Sequence, residues 1–181
     1  MKSVIYALGM ALALCCCSTK EENTQSSASS EAKSDTGVNH LYSFFDFCSD
    51  DPGCGFSGFS DKESFGRWSC TDTATIELMV APKAEITVKL DVNRVMCPEN
   101  VALEMNVEVN GEKVSHYSVF GNSSVYVNVP KENIGADGSA RLMFIFENAA
   151  QPGKYNPENK DPRKLGFALS GVTVYGYCLK N

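Results

Sequence analysis

Residues 74–92 read ATIELMVAPKAEITVKLDV. Ile76, Leu78 and Val80 alternate with Thr75, Glu77 and Met79; beyond Pro82, Ile86, Val88, Leu90 and Val92 resume the same beat. A two-residue apolar period puts every second side chain on one face of an extended chain, so each run predicts a strand with one buried side. The pattern recurs outward from this pair. Val101, Leu103, Met105, Val107 and Val109 alternate up to Asn110-Gly111, a residue pair suited to a tight turn with two positive φ angles. Residues 124–130 and 141–148 predict two more strands, and 165–179 a final pair of strand-like runs around Gly171. No segment past residue 40 carries a long 3.6-residue apolar period. The expected domain, residues 40–181, is all-β: a two-sheet antiparallel sandwich with apolar inner faces.

The chain has 181 residues, with 16 Lys and Arg against 22 Asp and Glu, a formal net charge of -6. Its acidic balance and lack of a basic cluster argue against a nucleic-acid partner. The apolar run from Val4 to Leu14 is shorter than the roughly 20 residues a spanning helix needs, and it follows a single cation at Lys2. This is the pattern of a secretory signal, residues 1–16. Leu14-Cys15-Cys16-Cys17-Ser18 resembles a bacterial lipobox, with lipidation expected at Cys17 and with Cys15 and Cys16 as alternatives. That resemblance implies a diacylglycerol thioether and an N-acyl (palmitate-like) chain, and two or more chains anchor stably to a membrane. The expected location is the bacterial envelope, lipid-anchored to the outer membrane and facing the periplasm or the cell surface. Residues 17–39 are rich in Ser, Glu and Lys and lack aromatics. Such a composition predicts a disordered tether, averaging about 25 Å end to end.

Cys48, Cys54, Cys70, Cys97 and Cys178 follow the lipobox. Export permits disulfides, and an odd number leaves at least one thiol free or paired with another chain. The turn-rich spacer between Cys48 and Cys54 makes theirs the first expected bridge, with Cys97–Cys178 the second. No histidine stands at ligand spacing from a cysteine, so neither a metal nor a cofactor is expected.

Two further stretches stand out: GFSGFSDKESFGRWSC, residues 55–70, and FENAAQPGKYNPENKDPRKLGFALSGVTVY, residues 146–175. Gly58, Glu63 and Gly66-Arg67-Trp68-Ser69 in the first, with Asn148, Pro152, Asp161, Arg163 and Leu165-Gly166 in the second, carry a family resemblance. The chain is similar to the β-sandwich module at the C-terminus of periplasmic phosphoglycerol transferases and related envelope glycosyltransferases. The resemblance implies a jelly-roll-like, galactose-binding-like topology and contact with a glycan. The catalytic domain of those enzymes is not expected here, so transferase activity does not carry over.

Neighbouring first and last strands would bring Glu63, Arg67, Trp68, Asn148, Asp161 and Arg163 together. Guanidinium and carboxylate would then pair beside the indole, with Glu63 and Asp161 facing Arg67 or Arg163 and Asn148 holding a loop turn. This cluster is either a structural network that pins the chain ends or a polar pocket for a saccharide or phosphoglycerol group. The aromatic-rich entry around residues 40–48, with Phe56, Phe59 and Phe65, reads either as core or as an exposed patch. Catalysis has no inventory: there is no Gly-x-Ser-x-Gly elbow and no phosphate-cradling loop, and arginines beside Glu63 and Asp161 would spoil a general acid. The function expected is a non-catalytic envelope lipoprotein that binds a glycan or a phosphoglycerol-bearing polymer. The alternative is a scaffold that docks to an envelope transferase or another membrane protein.

Overall fold

The computed structural model describes residues 42–98 and 100–176. The lipobox with Cys17, the signal segment, the tether and Cys178 lie outside the described residues. Ten strands form: β1 (Tyr42–Asp46), β2 (Gly55–Ser57), β3 (Arg67–Trp68), β4 (Thr73–Met79), β5 (Ile86–Val95), β6 (Leu103–Val109), β7 (Glu112–Val119), β8 (Ser123–Val129), β9 (Ser139–Phe146) and β10 (Phe167–Tyr175). Among the described residues only two single turns of 3-10 helix, Lys131–Asn133 and Pro152–Lys154, interrupt them.

One sheet has the order β1-β10-β5-β8, with β3 added against β10; the other runs β2-β4-β9-β6-β7. Every pairing between named strands is antiparallel. From β4 onward the chain passes back and forth between the sheets, pausing only for the β6–β7 hairpin, which is a jelly-roll-like path. That hairpin turns at Asn110 (φ 51) and Gly111 (φ 91), the two positive angles expected of this residue pair.

The alternation fills the core. Val88, Leu90 and Val127 from one sheet and Ile76, Leu103 and Leu142 from the other are fully or almost fully buried. One end of the core is aromatic. Phe47 packs on Phe56 and Phe59 (centroids 5.6 and 5.4 Å), Phe59 on Phe167 (6.2 Å), and Phe167 on Phe144 and Phe146 (5.6 and 5.1 Å). Tilted and edge-on ring contacts of this kind add to the area they bury. The entry segment therefore obeys both of its readings. In β1, Phe45 turns toward the core, whereas Tyr42 and Phe44 stay exposed.

Two expectations need correction. Within the described part of residues 165–179 there is one strand rather than a pair: β10 runs unbroken through Gly171, and register shifts between Ala168 and Gly171 absorb the irregularity as a bulge. The expected Cys48–Cys54 bridge is not formed either. Among the described residues Cys48, Cys54, Cys70 and Cys97 are all free thiols. The Cys48 thiol contacts the Ser170 carbonyl at 3.7 Å, while Cys54 packs against the main core. Different surroundings draw the two sulfurs apart despite their closeness in sequence.

Candidate functional site

The two motif-bearing stretches do meet. β3 pairs with β10 at Trp68↔Ala168 and Arg67↔Leu169, and β1 pairs with β10 along its whole length. Contact here is backbone on backbone. A Cβ on Gly66 (φ +124) would lie 2.1 Å from the Leu169 carbonyl oxygen, so only glycine fits. The Ser69 hydroxyl accepts hydrogen bonds from the Gly166 and Phe167 amides, 3.1 Å each. Gly-Arg-Trp-Ser and Leu-Gly are thus two halves of one seam.

Arg67 is buried within that seam, but no carboxylate holds it. Its guanidinium donates to the carbonyls of Ser60 (3.1 Å), Ser49 (3.0 Å) and Asp50 (3.1 Å), and it lies 5.0 Å from the Phe56 ring centroid. A planar fork of donors suits several carbonyls at once, and Arg67 so ties the 49–50 and 60 loops to the sheet. The expected pairing of Arg67 with Glu63 or Asp161 is absent. Glu63 joins Gly66 through a backbone bridge, and its carboxylate makes no hydrogen bond or ion pair among the described residues.

Asp161 and Arg163 instead pair with each other. Arg163 Nε donates to both Asp161 oxygens at 2.9 and 3.0 Å, and the Asp161 oxygen Oδ1 also accepts from the Arg163 amide. Those hydrogen bonds hold the Asp161 carboxyl below the usual carboxylate range and raise Arg163 further. The Arg163 guanidinium also reaches the Cys70 sulfur at 3.9 Å. Burial pushes that thiol up, and Arg163 opposes the shift. Trp68 is buried with Leu165 and Ala168, and the Phe65 ring meets it edge-on at 6.2 Å. Asn148 belongs elsewhere: it accepts from the Glu104 amide and donates to the Ala102 carbonyl, 2.9 Å each, fixing the start of β6. The expected cluster, read as a structural network or a pocket, is thus divided between a closed seam, a local ion pair and a loop brace.

The outer face of the β1-β10-β5-β8 sheet offers more to a ligand. Antiparallel partners point to the same side, so three rows follow from the register. Tyr42, Tyr175, Thr87 and Asn128 form the first; Phe44, Thr173, Lys89 and Tyr126 the second; Asp46, Gly171, Asp91 and Ser124 the third. Tyr42, Phe44, Tyr126 and Tyr175 are 62%, 56%, 52% and 42% exposed. No aliphatic side chain appears in the three rows. Gly171 makes room for Phe44, since a Cβ there would lie 2.7 Å from the ring atom Cε2. Lys89 pairs with Asp91 at 2.7 Å, and Asp91 also accepts from the Ser124 hydroxyl at 3.0 Å.

Beyond the third row the face opens into a depression of about 330 Å³, bordered by Asp91, Asn93, Asn122, Ser123, Ser124 and Ser170. The β10 bulge positions Ser170, whose hydroxyl donates to the Asp91 carbonyl at 3.0 Å. Asn122 sits in the left-handed region at φ 55 and its amide donates to the Asn93 carbonyl at 3.2 Å. Sequence reasoning passed over this site because its parts are ordinary surface residues from three separated strands. The outward positions of β1 and β5 were the available signal. The opposite sheet's outer face is different in kind, with exposed His116 contacting Glu104 at 2.9 Å and Asn106 at 3.2 Å.

Closed seam, jelly-roll-like path and open polar depression together define a β-sandwich module. Residues 48–176 match the family described as Domain of unknown function (DUF7024), and the chain belongs to it. Among solved structures, a family 35 carbohydrate binding module from an environmental isolate is similar at 14% identity and a TM-score of 0.46, covering 76% of this chain and 98% of that one. A family 35 module from Clostridium thermocellum gives 8% identity and 0.44, covering 74% and 96%. The acetyl xylan esterase Est2A from Butyrivibrio proteoclasticus gives 10% and 0.44 over 78% of this chain, which spans 35% of the esterase.

Proposed function

We propose that this domain is a non-catalytic saccharide-binding module, held at the bacterial envelope by a lipid on Cys17. The observation that carries the reading is the depression bordered by Asp91, Asn93, Asn122, Ser123, Ser124 and Ser170. A sugar presents a dense array of hydroxyls, each both donor and acceptor. Asn amides, Ser hydroxyls and an Asp carboxylate supply matching acceptors and donors at fixed positions. Val92 also borders the depression but is buried, so the exposed lining is polar. The lipid anchor rests on the lipobox-like Leu14–Ser18 segment.

Substitution tests the reading. Asn122→Ala with Asp91→Asn in the full chain should weaken binding of envelope-derived oligosaccharides about tenfold or more, as expected for losing hydrogen bonds that include a charged one. Isothermal titration calorimetry reads this. Retention of wild-type affinity by a correctly folded double variant would remove the depression from the function.

A further inference from the structure

Resting on that reading, we infer that the outer face of β1, β10, β5 and β8 extends the depression into a site for an uncharged glycan chain several residues long. The extension is continuous, because Asp91 and Ser124 belong both to the third row of the face and to the rim of the depression. From the Tyr42–Tyr175 row to the Asp91–Ser124 row the strands advance four residues, about 14 Å at the usual rise. That length exceeds a single sugar.

The chemistry of the face selects the occupant. Pyranose rings present apolar C–H faces and a rim of hydroxyls. Tyr42, Phe44, Tyr126 and Tyr175 provide exposed aromatic surface, and Thr87, Asn128 and Lys89 stand among them in the first two rows, with Thr173 buried between its neighbours. Thr87 and Asn128 already hydrogen-bond to each other at 2.9 Å, which holds both in place.

Charge narrows the choice further. The charged side chains in these rows are Asp46, Lys89 and Asp91, and the single cation is already paired with Asp91. Further along β5, Arg94 is engaged with the Phe65 ring, 3.9 Å from its centroid. A phosphoglycerol-bearing or uronate-bearing polymer would meet a net negative face, with Asp46 uncompensated and Lys89 already spent on Asp91. An uncharged chain meets no such penalty. Gly171 acts as a positioning residue here, because its missing Cβ lets the Phe44 ring lie over β10.

The test is a calorimetric panel on the full chain. It uses neutral gluco-, galacto-, manno- and xylo-oligosaccharides, each from disaccharide to hexasaccharide, beside polygalacturonate and a phosphoglycerol-substituted glucan. The wild type should bind one neutral series with affinity rising about tenfold or more from short to long, as two or more ring contacts allow. Tyr42→Ala with Tyr175→Ala, and separately Phe44→Ala, should abolish that gain while leaving the shortest ligand's affinity unchanged. Gly171→Ala should reduce the gain with the thermal melt retained. A flat length dependence, a gain that persists in the aromatic variants, or tighter binding of either anionic polymer would overturn the extended site and leave the depression's role standing. Absence of binding across the whole panel would overturn both.

Discussion

Of the two readings open for Arg67 in sequence, scaffold or pocket, the contacts it makes fit the scaffold. The carbonyls of Ser49, Asp50 and Ser60 hold both terminal nitrogens beside the Phe56 ring, while the buried Nε has no partner among the described residues. An arginine beside a tryptophan leaves both readings open in sequence. Sequence gives no sign that three loop carbonyls converge on the guanidinium, because the chain reaches it from residues 49–50 and 60. Cys54 offers a measurable consequence of burial at the same scale. Desolvation, with Asp51 adding to it, pushes its thiol from 9.0 to about 11. A raised thiol pKa means that the folded state holds the neutral form longer than the unfolded chain does. The associated stability is whole below pH 9 and is lost as pH rises toward about 11. The urea midpoint should therefore fall across that window, and Cys54→Ala should flatten the fall; an identical decline in the variant would contradict the burial of this thiol.

At the scale of elements, the long strands were legible and the short ones were not. β5, β6 and β8 each carry a clean two-residue period, because one face is buried and the other is wetter, whereas β9 is a continuous apolar run from Leu142 to Phe146. β2 and β3, three and two residues long, are too brief for any period and exist because β4 and β10 offer them edges. The bulge in β10 hid for a similar reason: apolar residues on both sides of Gly171 resemble two runs until the β5 register is known. Gly66 is where the seam between β3 and β10 is most exacting. Gly66→Ala places a methyl against the Leu169 backbone at a φ that alanine avoids, and should cost about 3 kcal/mol or more. Thermal unfolding of that variant checks the value, and a loss below about 1 kcal/mol would show that the seam yields.

For the whole molecule, a two-sheet sandwich follows from the alternation, and its closure follows from β1 and β10 pairing along one edge region. The kinship of the two motif-bearing stretches was legible for the same reason: both lie along β10 and the segment that abuts it. The ligand-facing surface was less so. Tyr42 and Phe44 were visible as an aromatic cluster in sequence, but their separation from Phe45 and Phe47 requires strand β1 and its register. Asp91, Asn122 and Ser170 come from different strands and turns, so no local pattern announces them. Folding thus leaves two contrasting outer faces, one with aromatic rings and hydroxyls, the other with a His116–Glu104 network.

The most direct measurement is a two-dimensional amide NMR titration of the protein with the neutral oligosaccharide that binds best. Shifts are predicted at Asp91, Asn93, Asn122 and Ser124, continuing to Thr173 and Tyr175, with Asp161 and Arg163 unmoved. Shifts centred on Asp161, Arg163 and Cys70, or spread over the β6–β7 face, would contradict the account.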